Sequence, residues 1–248
     1  MPVAPSGPCE VVVVGSGTAV GKTRVTTLLV QGLRALGRRT WVHKPISCGG
    51  WDGTSADDGR VLAGLCGDGQ DPSSICPLQF PEPAAPSLAA RLAGRHISLA
   101  DLRSALDACR GDHDLVIEGA GGVLSPLSAD RRGILDLVAG RLPALVVCTP
   151  ALGTLNATAL TVAAARQAGV ELLGLILNQA GAPQGTIAES HAQEELEALC
   201  ALPVLSMLPH AVESAPGAAT TLAQAVLGAW GQAGERHGPQ SRPREALR

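Results

Sequence analysis

The sequence predicts an α/β fold in which a mostly parallel sheet is covered by helices on both faces. Three observations carry that prediction. Short apolar runs recur at 9–15, 40–46, 114–119, 143–149, 171–178 and 203–208. Segments with helical spacing, at 22–36, 58–65, 97–110, 154–168, 188–199 and 219–229, alternate with them. The strand-like runs are mainly aliphatic, as strands buried on both faces must be.

Taken in order, CEVVVVG (9–15) is a β-branched run closed by glycine, and a glycine-rich turn then leads into a helix from Lys22 to about Leu36. TWVHKPI (40–46) is a second strand, followed by the turn-rich SCGGWDGTSADDG and a helix from about Asp58 to Leu65. The proline-rich ICPLQFPEPAAPS is an irregular connection and not a domain linker, because apolar residues continue through it. ISLADLRSALDACR (97–110) has helical spacing with Ser98 as its N-cap, and it feeds the strand DLVIEG (114–119). PALVVCT and ELLGLILN read as buried parallel strands joined by the helix at 154–168, and a helix, the strand PVLSML and a last helix at 219–229 complete the pattern. Residues 1–230 are thus expected to form a single domain. The polar, Gly/Pro-punctuated tail at 231–248 is expected to be flexible.

Composition narrows the function classes. The 248 residues are 46% hydrophobic and 17% charged, with a net charge of -3, enough apolar matter for a sizeable core. Lys+Arg number 19 against Asp+Glu 22, with no tyrosine and one phenylalanine, which excludes a dedicated nucleic-acid module. No run reaches a membrane span, and MPVAPSGPCE lacks the basic and apolar regions of a signal peptide, so the expected location is the cytoplasm. The seven cysteines are scattered, without a C-x-x-C pair. Only Lys22 and Lys44 are lysines, both in loops marked by glycine or proline, which invites a chemical reason for a compact ammonium at each.

Gly15 to Thr23 (GSGTAVGKT) stands between a strand and a helix, the setting of a phosphate-binding loop and of a P-loop NTPase-like three-layer fold. Lys22 would reach the outer phosphates, and the Thr23 hydroxyl would ligate Mg²⁺. The first glycine lies one place earlier than in G-x-x-x-x-G-K-[ST]. In LVIEGAGG a buried strand delivers Glu118 to its carboxyl end, where parallel sheets bind ligands, so it is placed either to hold the metal or to cap the glycine turn behind it. Asp57 and Asp58 start a helix and can simply cap it. Either can also serve as the acidic metal ligand, and the apolar spacing to Leu62 and Leu65 favours Asp58. Lys44 lies on the same side of the sheet, which suits phosphoryl transfer involving an anionic acceptor.

Together these residues resemble the dethiobiotin synthetase family over about 9–211. The matching motifs are the phosphate loop, K-P-I-S-C-G (Lys44 to Gly49), E-G-A-G-G (Glu118 to Gly122) and L-G-T-L-N (Leu152 to Asn156). The resemblance implies ATP and Mg²⁺ as cofactors and 7,8-diaminononanoate and CO₂ as substrates. A carbamate formed at one amine takes the γ-phosphoryl group, and the second amine closes a ureido ring. It implies nucleotide contacts at Ala19, Val20, Gly21, Lys22, Thr23, Arg24, Asp58, Gly119, Ala120 and Gly121, and base contacts at Asn178, Gln179, Pro209, His210 and Ala211. Lys22 and Lys44 would be the catalytic cations, the latter serving the carbamate. Cys48 stands where the family has a substrate-contacting Ser or Thr, and a thiol beside an ammonium is expected to be partly thiolate. Gly153, Thr154, Leu155 and Asn156 would bind the substrate carboxylate across a homodimer interface, or merely cap a helix. Two alternatives share the fold. A cobyrinate diamide synthetase-like ligase would need a glutamine-hydrolysing domain, and a partitioning-type ATPase carries a lysine where this chain has Gly17.

Overall fold

The computed structural model describes residues 7–210 and 217–237. Six parallel strands form the central sheet: β1 (Glu10–Gly15), β2 (Thr40–His43), β5 (Asp114–Glu118), β6 (Ala144–Cys148), β7 (Leu172–Asn178) and β8 (Val204–Leu208), in the spatial order β2-β5-β1-β6-β7-β8. A two-stranded parallel ribbon, β3 (Ser47–Cys48) with β4 (Gln79–Phe80), stands apart from it. The helices are α1 (Lys22–Ala35), α2 (Asp57–Ala63), α3 (Pro72–Ile75), α4 (Pro86–Leu92), α5 (Leu99–Ala108), α6 (Ile134–Val138), α7 (Thr154–Gln167), α8 (Ile187–Cys200) and α9 (Ala218–His237).

Alternation along β1 divides the core in two. Val12 and Val14 face a cluster with Leu102 and Leu106 of α5, Leu137 of α6, Val162 of α7 and Leu196 of α8. Val11 and Val13 face the other way, onto Leu29 and Leu33 of α1 and Leu222 and Val226 of α9. The helices α1 and α9 pack so closely that a Cβ on Gly32 would come within 2.0 Å of the Ala219 carbonyl oxygen. Only a glycine permits that approach.

β1 lies between β5 and β6, its successors in the sheet to either side, so the carboxyl end of β1 opens a crevice at a topological switch point. The phosphate-loop sequence occupies that crevice. Register places Val13 opposite Glu118 and Gly15 opposite Val147, which brings the ends of β5 and β6 level with the loop.

Three expectations need correction. The last helix does not stop at 229: it continues to His237, with Ala233 buried against the core, so the first residues assigned to a flexible tail are helical. The second strand ends at His43, and Lys44 is free of the sheet, its amide donating to Ile75 (2.7 Å). The proline-rich connection contains the helices α3 and α4 and the strand β4, all too short to show a period. Among the described residues no helix is long and apolar enough to cross a membrane.

Candidate active site

The loop from Gly15 to Gly21 joins β1 to α1. Gly21 caps α1 in the left-handed region (φ 91°), and a Cβ there would meet the Asn178 side-chain nitrogen at 2.1 Å. Glycine is therefore required twice over, for conformation and for space. Lys22 is buried, and its Nζ turns back to donate to the Gly17 carbonyl (3.2 Å). Burial and the second ammonium, Lys44, hold its pKa below the ordinary lysine value.

Beside the loop, four side chains from four segments converge. The Thr23 hydroxyl lies 2.9 Å from Asp58 Oδ1 and 2.8 Å from Glu118 Oε1. Lys44 Nζ donates to Asp58 Oδ2 (2.6 Å) and to Glu118 Oε1 (2.5 Å). Lys44 is 2% exposed, and burial alone would lower its pKa; the carboxylates of Glu118 and Asp58 outweigh that and leave it raised. Burial pushes the Asp58 carboxyl up, but Lys44 more than compensates, so its pKa lies below the usual range. Glu118 is fully buried at the end of β5, and its Oε2 has no partner.

That donor set fits Mg²⁺. It consists of hard oxygens, two carboxylates and a hydroxyl within hydrogen-bonding distance of one another, with one buried carboxylate oxygen unengaged. Among the described residues no three His, Cys, Asp or Glu side chains group into a metal site, which leaves further positions to water and phosphate oxygens, as Mg²⁺ prefers. The two aspartates separate clearly: Asp58 faces Thr23 and Lys44, whereas Asp57 is exposed and paired with Arg60.

These groups line a cleft of about 690 Å³ with Thr18, Ala19, Gly21, Ser47, Cys48, Ala120 and Gly121. The expectation of a partly ionised Cys48 thiol fails: burial pushes it up to about 11, and the Lys44 ammonium lowers it too little to compensate. Motif reading missed the opposite wall, formed by Pro83 to Pro86 and Ser125. The clustered prolines were the available signal. Gln79 was missed as well. Its Oε1 accepts from the Ala56 amide (2.9 Å) and its Nε2 donates to the Cys76 carbonyl (3.2 Å), so β4 holds the start of the helix that carries Asp58.

On the other side of the loop, Asn178 is fully buried, its Nδ2 donating to the Val20 carbonyl (2.8 Å) and its Oδ1 accepting from Arg24 (2.6 Å). The expected base contact at Asn178 is therefore closed off by Arg24 in this structure. The Gln179 side chain donates to Glu189 (3.2 Å), and Pro209 and His210 are exposed at the end of β8. Ala211 lies outside the described residues. Gly119 closes β5, its amide donating to the Val13 carbonyl (3.0 Å). Gly153, Thr154, Leu155 and Asn156 cap and begin α7 after β6 and do not line the cleft; Gly153 adopts φ 92°.

Comparison with known proteins agrees with the geometry. A family model described as an AAA domain matches residues 10–216. The ATP-dependent dethiobiotin synthetase of Anaeromyxobacter dehalogenans is 43% identical over 68% of this chain and 76% of its own. Those of Corynebacterium efficiens and Bacillus velezensis are 40% and 34% identical over 79% of this chain and 86% and 84% of theirs. Among solved structures, a ParA family ATPase from Chlorobium tepidum superposes with a TM-score of 0.53 at 15% identity, covering 91% of this chain and 98% of that one. A putative plasmid partition protein from Borrelia burgdorferi gives 0.55 at 10% identity, covering 92% of this chain and 100% of that one. These two likenesses concern the fold alone. The curated relatives go further, and on their identity and coverage the chain belongs to the ATP-dependent dethiobiotin synthetase family.

Proposed function

We propose that this protein is a dethiobiotin synthase. It joins CO₂ to 7,8-diaminononanoate and closes the ureido ring, with ATP converted to ADP and phosphate. The observation that carries the reading is the pair of buried ammonium groups in one cleft: Lys22 on the phosphate loop, and Lys44 between Glu118 and Asp58. One cation serves the phosphates and the other the acceptor.

The backbone amides at the start of α1 and the Lys22 ammonium bind and orient the triphosphate. Thr23, Asp58 and Glu118 would hold Mg²⁺, which when bound neutralises charge on phosphate oxygens. Lys44, on releasing its two carboxylates, supplies positive charge to the carbamate. No side chain acts as a nucleophile. Catalysis is positioning plus electrostatic stabilisation of charge as it develops in a partly dry cleft. Cys48 lies on the acceptor side, within reach of the diamine. The residues Gly153 to Asn156 reach a substrate carboxylate only from a second copy, so the working unit is a homodimer, and it works in the cytoplasm.

The test is a product assay with ATP, Mg²⁺, bicarbonate and 7,8-diaminononanoate. Dethiobiotin detected by mass is the expected result. Phosphate release without a cyclic urea would overturn the reading.

A further inference from the structure

The site is polarised along the sheet. Lys44, Asp58 and Glu118 lie toward β2 and β5, on one side of the loop that follows β1. A triphosphate with its terminal phosphate toward Lys44 must carry its nucleoside the other way, over the ends of β6, β7 and β8. Arg24 dominates that side. Its Nη1 donates to Asn178 Oδ1 (2.6 Å) and to the Gln179 carbonyl (3.4 Å), and its Nη2 donates to the Pro209 carbonyl (2.7 Å). Three segments far apart in sequence are thereby tied to the first turn of α1.

Asn178 cannot read a base in this arrangement. Its side chain is fully buried, one end is held by Val20 and the other by Arg24, and Gly21 closes it from the loop side. The guanidinium is different: it is half-buried and gripped along its edge by in-plane hydrogen bonds, so a flat face remains. A planar, weakly hydrated cation fixed in that way is a stacking surface for a π system. We propose that Arg24, and not Asn178, is the residue against which the nucleotide base rests. Stacking tolerates any base, because every base has a π face, so the site discriminates weakly among ATP, GTP and CTP. This rests on the reading of the loop as a nucleoside triphosphate site.

Calorimetric titration of the full chain with Mg²⁺ and each of ATP, GTP, CTP and inorganic tripolyphosphate tests it, using wild type, Arg24→Leu and Arg24→Lys. Expected are similar wild-type affinities for the three nucleotides, all tighter than tripolyphosphate. Arg24→Leu should lose about tenfold for every nucleotide while tripolyphosphate affinity stays unchanged. Arg24→Lys, which keeps the charge without the plane, should fall with it. Unchanged tripolyphosphate binding also reports an intact fold. The inference is overturned if Arg24→Leu binds ATP as well as wild type or begins to discriminate among bases, since Arg24 would then be a cover over Asn178. Full rescue by Arg24→Lys, or a parallel loss of tripolyphosphate binding, overturns it too. A wild type that binds neither ATP nor tripolyphosphate would instead overturn the reading of the loop.

Discussion

Strand β5 begins and ends on a buried carboxylate, and the two ends differ in how completely those groups are satisfied. At the start, Asp114 accepts from the Cys9 amide (2.7 Å) and from Arg38 through Nε (2.5 Å) and Nη2 (2.6 Å), so both of its oxygens are engaged. At the other end, Glu118 shares one oxygen between Lys44 and Thr23 and leaves Oε2 buried without a partner. Asp114 joins the chain before β1 and the turn after α1 to the sheet, and nothing in its surroundings asks for a ligand. Glu118 has an unmet demand at the edge where ligands bind. Burial alone does not separate a structural carboxylate from a functional one; the bookkeeping of partners does.

Mutation can break that contrast. Glu118→Gln should reduce turnover by about a hundredfold or more while leaving the melting temperature close to wild type, because its role is toward ligands. Asp114→Asn should do the reverse, costing about 3 kcal/mol of stability by leaving Arg38 half-paired, with turnover nearly kept. Steady-state kinetics beside thermal melts decide it, and a matching pair of phenotypes would remove the distinction. A smaller difference separates the two aspartates: Asp58→Asn should weaken Mg²⁺-dependent turnover by at least tenfold, whereas Asp57→Asn, which loses only an exposed contact with Arg60, should change it less than twofold. Equal losses would return Asp57 to the metal set.

The lysines sharpen the comparison through pH and binding. Lys22 has a depressed pKa in the folded state, so its charge opposes folding below that pKa, and the penalty disappears as the pH rises toward 10.5. Lys44 has a raised pKa, so its contribution is fully present below 10.5 and is lost as the pH climbs through the folded value. Without ligand at pH 7, Lys22→Met should therefore melt about 1–3 °C higher, and Lys44→Met lower than wild type. Nucleotide affinity should follow the other order, lost in Lys22→Gln and kept in Lys44→Gln. The smallest effect is expected at Cys48. With its thiol pushed up to about 11, alkylation should be slow at pH 7.5 and accelerate toward that value, and Cys48→Ser should retain turnover. Rapid labelling at neutral pH would contradict the burial assigned to that thiol.

The major strands and long helices were legible because each carries its own period: the observed bounds of β1, α1, β5, β6 and α7 fall within about two residues of the expected ones. Elements made by their surroundings were not. α3, α4, α6 and the ribbon of β3 with β4 span two to seven residues each, too few for any periodicity, and their order comes from packing. The end of α9 was misread because Gly231 and Gly234 suggested a stop, whereas Ala233 is 3% exposed against the core. The site divides in the same way. Lys22, Thr23, Lys44 and Glu118 could be found because they sit in contiguous motifs at strand ends. The lock between Arg24 and Asn178, 154 residues apart in sequence, could not, and neither could the support that Gln79 gives to Asp58.

The contact between Gly32 and Ala219 has a consequence for biosynthesis. The loop that binds phosphate is made among the first segments of the chain, yet the helix behind it is backed by one of the last. While a ribosome is still translating the middle of the message, Leu29 and Leu33 have no cover on the α9 side. The nascent protein therefore gains a rigid phosphate loop late, when α9 emerges and docks, and an interrupted chain would carry every residue of the motif without the framework that holds it still.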